Sequence, residues 1–230
     1  MNLKKLQTDE DMLFVEKMIK DAPIDPATGQ RVNPFASYGT PQKGDFLYKD
    51  INGDGIIDDN DKYAVGHGLA PRFTYGFSFG AEWNGFDFAC LFQGNAGIKR
   101  YWQDKFYRGC IDYGSVINKE IAEGAWREGR TDAKYPRLLT NLDTKNTQPS
   151  DFWVHNKSYL RLKNVEIGYT LPKSAIRFAG LQNVRFYVQG MNLVTFDSLG
   201  DVDVDPETKE GDGAWYPIQR IFNFGVDITY

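Results

Sequence analysis

The residues between Asp50 and Asp61 carry the most specific chemistry in the sequence, because their spacing is that of a calcium-binding loop. An EF-hand-type loop takes oxygen ligands from positions 1, 3, 5, 7, 9 and 12, with glycine at position 6 where the chain turns sharply. Gly55 occupies that sixth position. The sequence therefore predicts Ca²⁺ as a cofactor, with these ligands: Asp50, Asn52, Asp54, Ile56 through its backbone carbonyl, Asp58 and Asp61.

The surroundings of this loop favour a structural ion over a regulatory one. Asp61 stands where sensor EF-hands have a bidentate glutamate, and the shorter side chain resembles dockerin-type loops. The flanking runs 41–49 and 66–71 are rich in Gly, Pro and other turn formers, so a helix pair that could open around the ion is not expected. An Asx-rich turn without an ion is the alternative.

Aromatic side chains in the long polar segments are candidates for stacking against sugar rings. Flat rings flanked by polar groups suit carbohydrate, whereas packing within the loops or anchoring at an interface would explain the same residues without a ligand. The candidate substrate-binding residues are Tyr101, Trp102, Trp126, Trp153 and Trp215.

Catalysis and nucleic-acid binding find little support in the sequence. The only histidines, His67 and His155, are far apart, and there is no nucleophile elbow, phosphate loop or CxxC motif. We therefore expect no catalytic residues and no enzymatic activity. The formal net charge of −4, without a basic cluster, argues against a nucleic-acid partner.

Five segments alternate between large apolar and small or polar residues with a period of two, which is the pattern of β-strands. In the segment from Phe73 to Trp83 one face carries Phe, Tyr, Ala and Trp, and the other carries Thr, Gly, Ser and Glu. Asn84-Gly85 separates the first two strands and is a strong hairpin signal. The alternation changes phase near Lys163-Asn164, which predicts a β-bulge. The predicted strands are about 71–83, 86–96, 158–171, 183–195 and 219–230.

The chemistry of the two strand faces favours a membrane barrel over a soluble sandwich. Aromatic residues make up 15% of the chain, and they dominate one face of strands that are mostly longer than the usual ~5–6 residues. Transmembrane barrels need strands of about 9–11 residues with an apolar, aromatic outer face and a polar lumen. A secreted, soluble β-sandwich that binds carbohydrate and holds a structural calcium loop is the alternative.

The connections between the predicted strands alternate between short and long, as they do in outer-membrane barrels. Residues 1–70, which contain the 50–61 loop, and the segments 97–157 and 197–217 are the long ones. We therefore predict an extracellular loop region over 1–70, followed over 71–230 by antiparallel barrel strands with long extracellular loops.

Several runs also resemble the C-terminal part of the SusC/RagA family of TonB-dependent outer-membrane transporters, in the family's order. They are GDFLYKDINGDGIIDDNDKYAVG (44–66), PRFTYGFSFGAEWNGFDFACLFQGNAG (71–97), WREGRTDAKYPRL (126–138), SYLRLKNVEIGYTLP (158–172), NVRFYVQGMNLVTF (183–196), and the ending DPE (205–207) with YPIQRIFNFGVDITY (216–230). The resemblance covers nearly everything from Gly44 onward.

The resemblance implies import of oligosaccharides or peptides across the outer membrane of a Gram-negative bacterium. A SusD-like surface lipoprotein would act as partner, and the TonB complex would supply energy through an N-terminal part that this sequence lacks, as it lacks a signal peptide. Five strands cannot close a barrel, so the chain is expected to be a C-terminal barrel fragment that is incomplete in isolation. Its outer face would contact outer-membrane lipid.

The last strand carries a further expectation. A terminal aromatic residue that closes an alternating strand resembles the signal read by the barrel-assembly machinery of outer membranes. The predicted signal consists of Phe222, Phe224, Val226, Ile228 and Tyr230. A chance aromatic on an edge strand is the alternative.

Overall fold

The computed structural model describes residues 3–65, 70–101, 117–139, 145–200, 204–208, 216 and 218–230. The chain forms two compact units, one made of Met1–Gly66, Tyr101–His155 and Lys209–Trp215, and the other of His67–Arg100, Asn156–Thr208 and Tyr216–Tyr230. We call them the loop unit and the sheet unit. The predicted division placed all of 1–70 in one region and 71–230 in the other, whereas the compact units assign 101–155 and 209–215 to the loop unit and 67–70 to the sheet unit.

The elements in chain order are β1 (Leu3–Lys5), α1 (Asp9–Asp21), β2 (Phe46–Tyr48), β3 (Phe73–Trp83), β4 (Phe86–Ala96), β5 (Lys99–Tyr101), α2 (Lys119–Gly124), β6 (Val154–Asn156), β7 (Tyr159–Thr170), α3 (Lys173–Ile176), β8 (Asn183–Asp197) and β9 (Ile221–Thr229). Short 3₁₀ turns lie at Asp59–Asp61, Asp151–Trp153 and Arg177–Ala179. None of the helices in the described ranges is long and apolar enough to cross a membrane.

The sheet unit is built on one antiparallel sheet of five strands in the order β3-β4-β7-β8-β9. Each strand pairs with the strand that follows it in this order, so β3 and β9 are the two edges of a sheet that stays open among the described residues. The predicted antiparallel all-β class is confirmed. The strands lie at or within a few residues of the ranges that the alternation of the sequence indicated.

Two local features of the sequence fix the register of this sheet. Asn84 and Gly85 both have positive φ, 48° and 85°, as a tight hairpin turn requires, and they set Trp83 opposite Phe86. The predicted bulge is also confirmed, because the pairing of β7 with both neighbours shifts between Leu162 and Asn164. Leu160 and Val165 consequently share one face although their sequence parity differs.

The loop unit is organised around a small aromatic core. Phe46 of β2 lies with its ring centroid 4.9 Å from that of Phe152, and Phe152 packs edge-on against Trp153 at 4.8 Å. β2 is buried at all three of its residues and pairs antiparallel with β1. Through Phe46, β2 packs against Phe152 and Trp153, which lie more than 100 residues later in the chain.

A buried carboxylate also contributes to this core. The Asp45 side chain is fully buried and accepts hydrogen bonds from Arg137 Nε at 2.6 Å, Arg137 Nη2 at 3.1 Å and Asn146 Nδ2 at 2.9 Å. Asn146 in turn accepts from the backbone N–H of Phe46 at 2.9 Å. Since a buried charge without partners is costly, removing Arg137 would destabilise the loop unit more than the pair itself stabilises it.

Helix α1 begins with a capping box. The Thr8 hydroxyl accepts from the backbone N–H of Asp11, and the Asp11 carboxylate accepts from the backbone N–H of Thr8 at 3.0 Å. Lys4 lies 2.9 Å from the same carboxylate. Burial opposes the charge of Asp11, but the hydrogen bonds from Lys4, Gln7 and Thr8 outweigh it and lower the pKa of Asp11 to about 2.

Candidate functional site: a sheet with one apolar and one charged face

One face of the five-stranded sheet is apolar across all its strands. The cross-strand pairs place aromatic and aliphatic side chains next to one another, and the Phe77 and Phe92 rings stack with centroids 4.9 Å apart. Trp83 and Phe224, on the two edge strands, are each 78% exposed. The exposed large side chains of this face include Phe73, Phe77, Phe79, Trp83, Phe86, Ile167, Phe186, Val188, Phe222, Phe224, Val226 and Ile228.

An exposed apolar face of this extent has a physical meaning. Moving one such side chain from water to an apolar environment is favourable by roughly 1.5–3 kcal/mol. Exposing all twelve of these side chains to water would therefore be strongly unfavourable. Large contiguous patches of this kind mark contacts with a membrane or with another protein.

The opposite face carries an ion network centred on Arg185 of β8. Arg185 Nε lies 2.9 Å from Asp87 Oδ2 on β4, Nη2 lies 2.6 Å from Glu166 Oε1 on β7, and Nη1 lies 3.3 Å from Asp227 Oδ2 on β9. One guanidinium therefore joins four neighbouring strands. Its fork of donors suits several carboxylates at once, which a lysine could not serve in the same way.

Two glycines make room for this network. A Cβ atom on Gly168 would lie 2.4 Å from Asp87 Oδ2 and 2.5 Å from Arg185 Nη2, so the ion pair passes directly over the bare backbone of β7. A Cβ atom on Gly225 would lie 2.2 Å from the ring of Tyr187, over which the Arg185 guanidinium sits at 5.2 Å. The polar face is therefore shaped for these particular side chains.

A second network holds the segment 204–208, which we call the strap, against β7. The Arg161 side chain is 1% exposed and uses all three sides of its guanidinium: Nη2 to Asp205 at 2.5 Å, Nη1 to Glu207 at 3.1 Å and Nε to the Thr195 hydroxyl at 2.9 Å. Glu207 also accepts from Tyr159 Oη at 2.7 Å and from Lys163 Nζ at 3.0 Å. Burial opposes the charge of Glu207, but these donors and the charge of Arg161 outweigh it and lower the pKa of Glu207.

The predicted calcium loop forms a chain of Asx turns. Asp50 accepts from the backbone N–H groups of Gly53 at 2.6 Å and Gly55 at 2.8 Å, and both glycines have φ near +80°. The Asp61 side chain, 0% exposed, accepts from the N–H groups of Ile51 at 2.7 Å and Asp58 at 3.0 Å. The loop is therefore folded around its carboxylates by its own backbone.

The fit of this loop to calcium is partial. Every predicted ligand position offers an oxygen, which is the chemistry that Ca²⁺ prefers. Within the ranges that the structure describes, however, no three Asp, Glu, His or Cys side chains are grouped so that they could hold one metal ion. Calcium binding at Asp50, Asn52, Asp54, Ile56, Asp58 and Asp61 stays a prediction.

The predicted substrate aromatics do not form a single surface. Trp153 is 2% exposed, and its ring packs against Phe46 and Phe152, so the prediction that it stacks on sugar was wrong. Trp126 is half-buried and donates to the Gln7 carbonyl at 3.3 Å, while Tyr101 is half-buried at the end of β5. Trp102 and Trp215 lie outside the described residues.

The predicted assembly residues lie at one edge of the sheet. Phe222, Phe224, Val226 and Ile228 all lie on the apolar face of β9, and their side chains, like that of Tyr230, are exposed. Recognition by the assembly machinery stays a prediction.

The sequence reasoning did not identify the two arginine networks as sites. In the sequence, Arg185 stands between Val184 and Phe186, so the period-two alternation puts it on the polar face of its strand, and a charged residue inside a long strand is a usable signal. The partners of each arginine could not be found in this way, because Asp87 lies 98 residues from Arg185 and Asp205 lies 44 residues from Arg161.

The chain is similar to several curated TonB-dependent receptors. It is 29% identical to a TonB-dependent receptor of Formosa agariphila over 84% of this chain and 20% of that protein, and 26% identical to a second one over 81% and 20%. It is 25% identical to the TonB-dependent receptor SusC of Bacteroides thetaiotaomicron over 80% of this chain and 17% of that protein. The chain thus spans a fifth or less of these relatives, and no family model matches it.

The chain is also similar to solved structures of a peptide transporter. The structure of the RagAB peptide transporter matches 70% of this chain and 17% of its own with a TM-score of 0.52 and 26% identity. The closed-closed state of the RagAB peptide importer matches 91% of this chain and 20% of its own with a TM-score of 0.58; at 22% identity, that match concerns the fold alone. In both sequence and fold, the chain therefore resembles a part of the SusC/RagA-type TonB-dependent transporters.

Proposed function

We propose that the sheet unit is a section of the wall of a TonB-dependent importer in the outer membrane of a Gram-negative bacterium. The apolar face would contact lipid, and the face with Arg161 and Arg185 would line the lumen. The observation that carries the proposal is the contrast between these two faces of one sheet. A transmembrane barrel needs this arrangement, because lipid cannot solvate charge and an aqueous lumen can.

The substrates and partners of this importer are part of the same proposal. Oligosaccharides or peptides would pass through the lumen, with a SusD-like surface lipoprotein as partner and the TonB complex as energy source. Support for peptides comes from the RagAB structures, which are named as a peptide transporter and importer. In this arrangement, the loop unit and its 50–61 loop would lie outside the cell, and β9 would present the residues recognised by the barrel-assembly machinery.

The soluble β-sandwich is less well supported. A sandwich buries its apolar face against a second sheet. Among the described residues, the face that carries Phe77, Phe79 and Phe224 has no such cover, and these side chains are more than half exposed.

Site-directed spin labelling along β3 tests the proposal. Single labels at positions 76 to 81, in the intact protein reconstituted in lipid and with Cys90→Ala/Cys110→Ala as background, should alternate in accessibility. Labels at 77, 79 and 81 should be relaxed by oxygen, which partitions into lipid, and labels at 76, 78 and 80 by a water-soluble nickel chelate. Uniform water exposure at all six positions, together with recovery of the protein without detergent, would rule out the membrane wall.

We also propose that the 50–61 loop binds a structural Ca²⁺ ion. The ligand spacing and the two left-handed glycines support it. Asp54→Ala should weaken calcium binding by at least about tenfold, because one of few carboxylate ligands is lost. Asp25→Ala, which removes a carboxylate from another turn of the loop unit, should leave it unchanged. Calorimetry that finds the same calcium affinity in Asp54→Ala and the parent protein would end this part of the proposal.

A further inference from the structure

The strap binds to the polar face of β7 more extensively than a connecting loop requires. Its own turn is tight, since Asp205 accepts from the backbone N–H of Glu207 at 2.8 Å and from that of Thr208 at 3.0 Å. Both of its carboxylates turn towards Arg161, and Pro206 between them is buried. The strap thus presents two neighbouring carboxylates to one guanidinium.

The surface under the strap is strongly basic. Four cationic side chains contact the strap: Arg161 and Lys163 bind its carboxylates, while Arg100 and Lys157 donate to the carbonyl of Thr208. The phenol of Tyr159 adds a neutral donor. We call these five side chains, Arg100, Lys157, Tyr159, Arg161 and Lys163, the basic recess; two of its cations, Arg161 and Lys163, bind the carboxylates of the strap directly.

Burial makes this recess dependent on an anion. The guanidinium of Arg161 has almost no contact with solvent, and a buried charge without a counter-charge is strongly unfavourable. Asp205 and Glu207 supply that counter-charge, but nothing in the donor geometry of an arginine distinguishes their carboxylates from those of a ligand.

We propose that the basic recess is a ligand site for a molecule with two neighbouring carboxylates, and that Asp205 and Glu207 occupy it in the absence of ligand. The strap is then an internal competitor. It keeps Arg161 neutralised until an anionic ligand replaces it.

Competition of this kind lowers the apparent affinity of the ligand by the fraction of molecules in which the strap is undocked. A mutation that removes the strap's charges should therefore raise the affinity. The identification of the ligand as an acidic transported substrate rests on the proposed import function, whereas the anion site itself rests only on the geometry of the recess.

The test uses glutarate as the probe and its uncharged diamide, glutaramide, as the ligand control. The double variant Asp205→Asn/Glu207→Gln keeps the shape of the strap and removes its charges. Calorimetry on the intact protein in detergent should show that this variant binds glutarate at least about tenfold more tightly than the parent protein does, because less than a tenth of the parent molecules would have the strap undocked. Neither protein should bind glutaramide.

A matched variant separates a local effect from a change in net charge. Glu10→Gln/Glu16→Gln removes two exposed carboxylates from α1 and should bind glutarate as the parent protein does. If it gains as much affinity as the strap variant, the recess is not the site and the proposal is overturned.

Hydrogen exchange in the unmodified protein gives a second readout that does not depend on how well the variant folds. The Thr208 amide donates to the Asp205 carbonyl within the strap's own turn, and the docked contacts of Asp205 with Arg161 and of Thr208 with Lys157 hold that turn in place. Glutarate should therefore accelerate exchange of this amide by releasing those contacts, and glutaramide at equal concentration should not. Unchanged exchange together with unchanged affinity would show that the strap is only a structural element. Either readout is independent of membrane insertion, so failure of the import proposal would be seen separately in the spin-label experiment.

Discussion

On the polar face, the absence of a side chain at some positions matters as much as the hydrogen bonds that other residues make. Gly168 is the clearest case, because the carboxylate of Asp87 and the guanidinium of Arg185 both lie where its side chain would be. Gly80 on the same face of β3 differs, since its nearest neighbour would be the Phe88 carbonyl at an ordinary 3.6 Å. The two glycines therefore permit a matched comparison.

Gly168→Ala should lower the free energy of unfolding by about 1–3 kcal/mol, because the added methyl group pushes the ion pair apart. Gly80→Ala should be neutral or stabilising by up to about 1 kcal/mol, since alanine restricts the unfolded chain. Urea titration followed by the circular dichroism of the sheet measures both. Equal effects of the two substitutions would contradict the role given to Gly168.

Asp11 carries a second prediction at this scale. Its pKa in the folded protein is depressed to about 2, so its stabilising contribution is complete above the pKa of an unfolded aspartate, about 4, and is lost as the pH falls towards about 2. Asp11→Asn should cost about 0.5–2 kcal/mol at neutral pH, as other losses of a cap do, and should flatten the decline of stability between pH 4 and 2. Thermal unfolding of both proteins across this range checks it; an unchanged slope would be evidence against the capping role.

At the scale of the elements, the strands are determined by two overlapping patterns. Period-two alternation gives each strand an apolar and a polar side, and the bulge at residue 163 keeps the apolar side continuous where the sequence changes phase. The Asn84-Gly85 hairpin also contributes, because two residues with left-handed backbone conformation make a tight turn that fixes which residues of β3 and β4 lie opposite each other.

Adjacent substitutions on β3 test the meaning of the two faces. Phe79→Arg places a charge on the apolar face and should destabilise the lipid-inserted protein by about 2–4 kcal/mol if it lies near the bilayer midplane. Ser78→Arg, one residue away on the polar face, should have an effect below about 1 kcal/mol. Unfolding of the protein from lipid vesicles in urea measures the difference, and a larger effect at Ser78 would reverse the assignment of the faces.

At the scale of the whole molecule, the division into two compact units has a thermodynamic consequence. The loop unit has its own core around Phe46 and Trp153 and its own buried ion pair at Asp45, while the sheet unit is held by strand pairing. Each unit thus has its own source of stability, and a single all-or-none transition is not expected.

Calcium should distinguish the two units in calorimetry. A ligand that binds only the folded form stabilises it by about 2.7 kcal/mol at a hundred times its dissociation constant. Since the 50–61 loop belongs to the loop unit, calcium should raise one thermal transition, chelation should reverse the change, and the transition of the sheet unit should stay in place. Two transitions that move together, or none that moves, would contradict the prediction.

The sequence by itself determined the strands, the Asn84-Gly85 hairpin and the bulge near Lys163, because these depend on local alternation and on residues that accept positive φ. The tertiary structure decided that Trp153 is a core residue, that Asp205 and Glu207 neutralise Arg161, and that Arg185 joins four strands. These contacts link residues far apart in the chain, so they follow from the order and register of the strands and from where the loops return. A pattern of neighbouring residues specifies neither the order and register of the strands nor the place where a loop returns to the sheet.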